Sequence, residues 1–419
     1  MRGLCLCVCM ILAGLISPAD MALAEVRGFG TGTPAGRGGR VLKVTNLNRS
    51  GRGSFADAVR AKGPRIIIFE VGGVIDLEQH SIGISEPFLT VAGQTAPSPG
   101  TTLIRGGISI RTHDVLMQHI RVRPGDAGQP KRSGWAPDGV ATNAAYNVVI
   151  DHCSISWAVD ENLSASGPRH EGPDKTSHNI TFSNCIIAEC LDDSSHPKGR
   201  HSKGSLIHDY CTDIAIIGNL YAHNVNRNPY FKAFTTGVIV NNLIYNPRSA
   251  AIKLTWPASE WKDTNVTPLD PRISIVGNVL IHGRDTNRDL ALACCKADAF
   301  MHDNSAEKRD GSAADITKGD IRLLSEKPSW PAGFRATPAD KVIDYVTANA
   351  GARPKDRDDV DKRIIRDFRQ RSGRIIDSQD EVGGYPSPKP TRRKLSIPDN
   401  NIEQWLARFT AEVEQAGAN

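Results

Sequence analysis

Three short segments carry residue types that could do chemistry. Asn226-Arg227-Asn228-Pro229-Tyr230-Phe231-Lys232 is the first. Pro229 fixes its own φ and biases Asn228 toward an extended shape, so Arg227 and Lys232 could project from a stiff segment into a groove. The bland alternative is a pair of solvated surface cations. The second is Asp160-Glu161, which follows Asp151-His152-Cys153, with Asp138 further upstream. Carboxylates meeting on neighbouring turns of chain would offer the oxygen ligands that suit Ca²⁺. Otherwise they are turn acids at a corner. The third is the loop His196 to Gly204, where Lys198, His201 and Lys203 make a dense cationic patch able to clamp carboxylates. Its two histidines suggest a transition metal, but the sequence places no third ligand beside them.

The elements around these segments are short and β-rich. Runs such as Arg65–Phe69, Ile108–Arg111, Val115–Val122, Asn147–His152, Ile214–Asn219 and Ile273–Asn278 are separated by Gly, Pro, Asn and Asp clusters. From His152 onward the runs share a pattern: three or four β-formers, then Asn or His, then an apolar pair. His152, Asn184, Asn219, Asn242 and Asn278 take that turn position, about 23 to 36 residues apart, an interval that suits stacked coils. Such a stack lets inward side chains form ladders and Asn bond to Asn. A sandwich would show Asn-Gly or Asp-Gly hairpins, which are scarce here. Open ends of a coil stack need covers. Ser54-Phe55-Ala56-Asp57-Ala58-Val59 reads as a Ser-capped helix for the first end. Helices are expected over Pro338–Ala350, Asp356–Arg371 and Ile402–Glu414, the second with Val360, Ile364, Ile365 and Phe368 on one stripe.

Composition bounds the rest. Of 419 residues, 23% are charged and 39% hydrophobic, which argues against disorder. Residues 1–24 read as an export signal, with Arg2, an apolar segment from Leu4 to Ile16 and the small-x-small site Ala22-Leu23-Ala24. We therefore expect a secreted protein, extracellular or periplasmic, with a coil domain over 25–310 and a partly helical extension over 311–419 that packs on it. No other run suits a membrane span. A net charge of +5 suits a polyanionic partner but is weak for a nucleic-acid binder. Six cysteines follow the leader: disulfides are permitted, and zinc-finger spacing is absent.

The chain resembles the pectate lyases of polysaccharide lyase family 1 over roughly residues 28–280. Gly38-Gly39-Arg40-Val41, Val71-Gly72-Gly73-Val74-Ile75, Val91-Ala92-Gly93-Gln94-Thr95 and Asp151-His152-Cys153-Ser154 carry the likeness. Most specific is Arg227-Asn-Pro-Tyr-Phe-Lys232, which is similar to the family's Arg-x-Pro-x-x-Arg motif. The resemblance implies an all-β fold, a right-handed single-stranded parallel β-helix, with Ca²⁺ as cofactor and β-elimination of polygalacturonate (pectate) as the reaction. It implies Arg227 as base and Lys203, or Lys198, as the basic residue at the substrate carboxylate or glycosidic oxygen. Asp138 and Asp160 would be metal ligands, assisted by Glu161. Lys198, His201 and Lys232 would bind substrate, with Trp157 and Tyr230 offering faces to sugars or packing in the core. Departures from the pattern are Lys232 in place of Arg, Ala136 at a common acid position and Ser164 at another. The expected partner is an acidic polysaccharide bound by a monomer, with no nucleic acid and no membrane. Two rivals remain at this point. One is a β-helix glycoside hydrolase using Asp160 with Asp192 or Asp193. The other is a non-catalytic polysaccharide-binding solenoid.

Overall fold

The computed structural model describes residues 27–414, so the expected leader lies outside the described residues. Each coil contributes one strand to each of three parallel faces. The first face stacks Ile82–Ile84, Ile108–Ile110, Val140–Asn143, Glu161–Ser166, Lys203–Ile207, Tyr230–Phe231 and Ile252–Leu254, and continues through the start of Ala293–His302 to Thr317–Leu323. The second runs from Arg40–Val44 to the end of Ala293–His302. The third runs from Val71–Asp76 to Ser305–Glu307. This is a parallel β-helix, filled by Ile, Val, Leu and Phe.

Strands break where the backbone turns left-handed. His119, His152, Asn184 and Asn241 have φ of 60°, 46°, 50° and 55°, and Gly218 and Gly277 take the same corner. Asn tolerates that region better than most residues and Gly without penalty. The turn position read from sequence is therefore two stacked columns. His152 and Asn184 are corner residues. The ladder one position later is Cys153, Cys185, Asn219, Asn242, Asn278 and Asn304. There Asn219 Nδ2 donates to Asn242 Oδ1 at 3.0 Å, and Asn242 Nδ2 to Asn278 Oδ1 at 2.9 Å. Where cysteine replaces asparagine, the Cys185 N–H still donates to Asn219 Oδ1 at 2.8 Å.

Among the described residues, four α-helices cover the stack. Helix α1 (Phe55–Arg60) is capped by Ser54 Oγ, which accepts from the Asp57 N–H, and buries Phe55 and Val59 at the first end. Helices α2 (Ala339–Asn349) and α3 (Asp359–Arg369) lay Val342, Val346, Ile364 and Phe368 on Leu220, Leu243 and Val279 of the third face. Helix α4 (Ile402–Val413) packs Leu406 and Phe409 against Ile66, Ile68 and Ala92 of the second. Helices α2 to α4 thus lie on the second and third faces, while α1 closes the first end of the stack.

Candidate active site

The corner leading from the third face into the first is where the chemistry-bearing residues converge. On four successive coils the chain crosses it just before Val140, Glu161, Lys203 and Tyr230. Coils stack at about 4.8 Å, so residues distant in sequence become neighbours. Asp138, Asp160 and Glu161 bring one carboxylate oxygen each within 4.8 Å of one another. The Glu161 N–H donates to Asp138 Oδ1 at 2.9 Å, and the Val159 and Asp160 N–H groups donate to the Pro137 carbonyl at 3.1 and 3.2 Å. Glu161 is the Cα partner of Lys203, and Lys203 bridges to Asn226 on the next coil. Arg227, at φ 63°, turns its guanidinium onto Glu161 as an ion pair and over the Tyr230 ring at 5.6 Å.

A buried amide chain holds this corner. Asn162 Oδ1 accepts from the Ala158 N–H at 3.1 Å, and Asn162 Nδ2 donates to Asn224 Oδ1 at 3.2 Å. Asn224 Nδ2 donates to Asn228 Oδ1 at 3.0 Å. The chain ties the loop bearing Asp160 to the loop bearing Arg227. These three residues escape a reading centred on charged groups. Their signal was present, since Asn162 directly follows Asp160-Glu161, Asn228 sits inside the Arg227 motif and Asn recurs at the other corner.

The electrostatics are unbalanced. Burial and the neighbouring Asp160 push the Asp138 carboxyl up to about 8. Asp160 is held below its ordinary range: burial opposes this, but the hydrogen bond and charge of His201 prevail, with His196 and Arg227 adding to them. His201 Nε2 lies 2.7 Å from Asp160 Oδ1, and the His196 and His201 rings stack at 3.8 Å. Burial lowers the hold of both Arg227 and Lys203 on their protons.

The expected residues divide in two. Arg227, Lys203, Asp138, Asp160, Glu161 and His201 are brought together. Lys198 is exposed on the adjoining loop, its N–H on His196 Nδ1 at 3.1 Å. Lys232 goes elsewhere: 4% of its side chain is exposed, and it pairs with Asp209 at 3.1 Å and with Glu260, beside Arg169. The short Tyr230–Phe231 strand carries it down the face from Arg227, so an ion-pair cluster takes the place of the expected substrate contact. Trp157 is fully buried, with Nε1 donating to Glu189 at 2.9 Å, so it packs in the core and offers no face to a sugar.

The donor set discriminates between metals. Asp160, His196 and His201 also cluster, which supplies the third ligand that the sequence did not place. Yet His196 Nδ1 accepts from the Lys198 N–H, so the neutral ring carries its proton on Nε2, the atom facing Asp160. A protonated nitrogen cannot ligate. What remains is a set of carboxylate oxygens, and this fits a hard cation such as Ca²⁺.

No family model matches the chain. Curated relatives do. A probable pectate lyase C of Aspergillus flavus is 32% identical over 383 residues, spanning 87% of this chain and 82% of its own length. One from Neosartorya fischeri is 33% identical over 384 residues, with 87% and 81% coverage. Among solved structures, the cedar pollen allergen jun a 1 superposes with a TM-score of 0.58 at 16% identity, covering 80% of this chain and 99% of that one. A Bacillus subtilis pectate lyase variant gives 0.52 at 14% identity, with 78% and 96% coverage. These structural likenesses concern the fold. Sequence identity over most of both chains carries the assignment: the chain belongs to the pectate lyase family of polysaccharide lyases.

Proposed function

We propose that the protein cleaves polygalacturonate by Ca²⁺-assisted β-elimination and is exported to do so. The observation that carries the reading is the meeting of Arg227 with the three-carboxylate corner of Asp138, Asp160 and Glu161. Asp138 and Asp160, with Glu161, are the residues that would hold Ca²⁺; when bound, the ion withdraws charge from a uronate carboxylate and acidifies the adjacent C5 proton.

The chain's own groups supply the rest. Arg227 takes the C5 proton. A guanidinium ordinarily stays charged, but burial already weakens its hold. Glu161 is shared: when it turns toward Asp138 and Asp160, Arg227 loses its carboxylate partner and releases its proton more readily. Lys203, half-buried and one coil away, stabilises charge on the leaving glycosidic oxygen. His201 keeps Asp160 ionised and oriented. A base of this kind acts deprotonated, so the rate rises toward alkaline pH. Residues 1–24 supply the export signal, and among the described residues no helix is long and apolar enough to cross a membrane.

The test is ultraviolet absorbance of unsaturated product on polygalacturonate, with Ca²⁺ and with chelator. New reducing ends without that absorbance would mean hydrolysis. The hydrolase reading is also weakened by its own acids. Asp192 is 2% exposed and pairs with Arg200 and Arg248, and Asp193 pairs with Lys131 and Arg132. Hydrogen bonding from Lys131 lowers the Asp193 carboxyl, the opposite of what a general acid needs.

A further inference from the structure

Two cysteines lie on the same face as Arg227, further along the stack. Tyr230 pairs in register with Lys253, Lys253 with Cys294, and Cys294 with Lys318. Beside this column opens a cleft of about 700 Å³, lined in part by Ser249, Leu290, Cys294, Cys295 and Lys318. Successive side chains of an extended strand point to opposite faces, so neighbouring cysteines should not meet. Here Cys295 has φ of 91°, which breaks the alternation, and the two sulfurs stand 3.0 Å apart. The strand opposite makes room: Cys295 faces Gly319, whose missing Cβ would lie 2.5 Å from the Cys295 carbonyl oxygen.

The other thiols differ. Cys153, Cys185, Cys190 and Cys211 are all fully buried, and burial pushes the last three up. Cys295 is half-exposed; the Cys294 S–H donates to it, burial opposes, Lys253 assists, and its thiol falls to about 6. A half-exposed thiolate beside a second thiol and a lysine is a reactive environment.

We propose that Cys294 and Cys295 form a vicinal dithiol site in this cleft, which a small-molecule disulfide converts to a Cys294–Cys295 disulfide. The Cys295 thiolate attacks one sulfur of the oxidant, forming a mixed disulfide and expelling one thiolate. Cys294 then loses its proton and attacks Cys295 Sγ, expelling the second. Two electrons and two protons pass from the pair to the oxidant, which becomes two thiols. Oxidation removes the thiolate charge next to Lys253 and Lys318. On the lyase reading, a polyanion extending from Arg227 along the face then meets a more positive floor, and long chains gain more than short ones.

The test uses the mature full-length chain. In the native reduced protein a bulky maleimide labels two thiols, at 294 and 295. After treatment with oxidised glutathione it labels neither, and peptide mapping finds the pair lighter by two hydrogens. A persistent glutathione adduct, or thiols that stay reduced, overturns the proposal. Oxidation lowers KM for polygalacturonate about two- to fivefold, the size of one partly screened charge contact, with a smaller change for trigalacturonate. Cys295→Ser, which removes the attacking thiolate, makes KM indifferent to the oxidant, whereas Cys294→Ser stops at the mixed disulfide. An equal response of short and long substrates overturns the cleft role. Failure of the lyase reading would show separately, as no unsaturated product in either redox state with the thiol chemistry unchanged.

Discussion

Two charged clusters in this molecule use the same residue types and reach opposite states. Under α3, Arg121 and Arg123 have side chains 1% and 0% exposed and face Asp358 and Asp361. Arg123 reaches Asp358 at 2.5 Å and Asp361 at 2.8 Å, and Ser154 Oγ donates to Asp361 at 2.7 Å. Two cations meet two anions. Burial opposes the charge on Asp358, but the arginines hold its carboxyl low, and the aspartates raise Arg123 in turn. At the corner of Asp138, Asp160 and Glu161, three carboxylates crowd together with Arg227, Lys203, His196 and His201 around them, and Asp138 still rises to about 8. The first cluster is neutral and closed, and it fastens a helix. The second leaves Asp138 unable to ionise beside Asp160 at neutral pH, and a bound cation is what would let it take up its charge. Charge balance, rather than residue type, separates a structural cluster from a candidate site.

The sharpest way to break the comparison is at Arg227. Arg227→Ala should lower kcat on polygalacturonate by about 10²–10⁴-fold, as loss of a general base does; unchanged kcat in the folded variant would remove Arg227 from the chemistry. Next, Arg123→Ala should cost about 3–5 kcal/mol of stability, because it strands buried carboxylates, readable by denaturant unfolding. A loss below 1 kcal/mol would mean that the cluster under α3 is not closed as described.

The open cluster should respond to charge removal in a different currency. Asp138→Asn should raise the Ca²⁺ concentration for half-maximal activity about tenfold or more, following ligand charge, with stability held or improved, since an acid raised to about 8 weighs against the fold at neutral pH. His201→Ala should cost about tenfold in Ca²⁺ affinity or activity, as for a residue that orients a ligand.

The smallest expected effect concerns a third cluster, where α4 ends. Burial works against the charge on His152, yet Asp151 and Glu414 raise it to about 9, above its unfolded value near 6.5. Its contribution to stability is therefore complete below about pH 6.5 and lost as pH rises through 9. Between pH 7 and 9.5 the melting temperature should fall by roughly 2–4 °C, and His152→Gln should flatten that slope.

Much of this was legible in sequence because it is local. The coil rhythm, the Ser54 cap, the stripe on α3 and the Arg227 motif each depend on residues a few positions apart. The turn pattern was off by one at His152 and Asn184, because a left-handed corner and the ladder after it present similar residues at adjacent positions. Lys232 went astray for a different reason, and Trp157 stayed open between sugar and core until the fold placed it in the core. Nothing within the motif reveals that Asp209, Glu260 and Arg169 wait beneath Lys232, or that Glu189 waits for the Trp157 N–H.

By itself, then, the chain's order of residues determined a stacked β architecture, its covers and the segments able to do chemistry, since short-range periodicity and turn preference suffice for these. Only the tertiary structure decided which charges share a corner. Stacking brings residues from four coils within a few ångströms, and whether a charge there finds its opposite sets its ionisation and so its use. The same stacking, with one left-handed residue, put Cys294 and Cys295 side by side on the face that Arg227 opens.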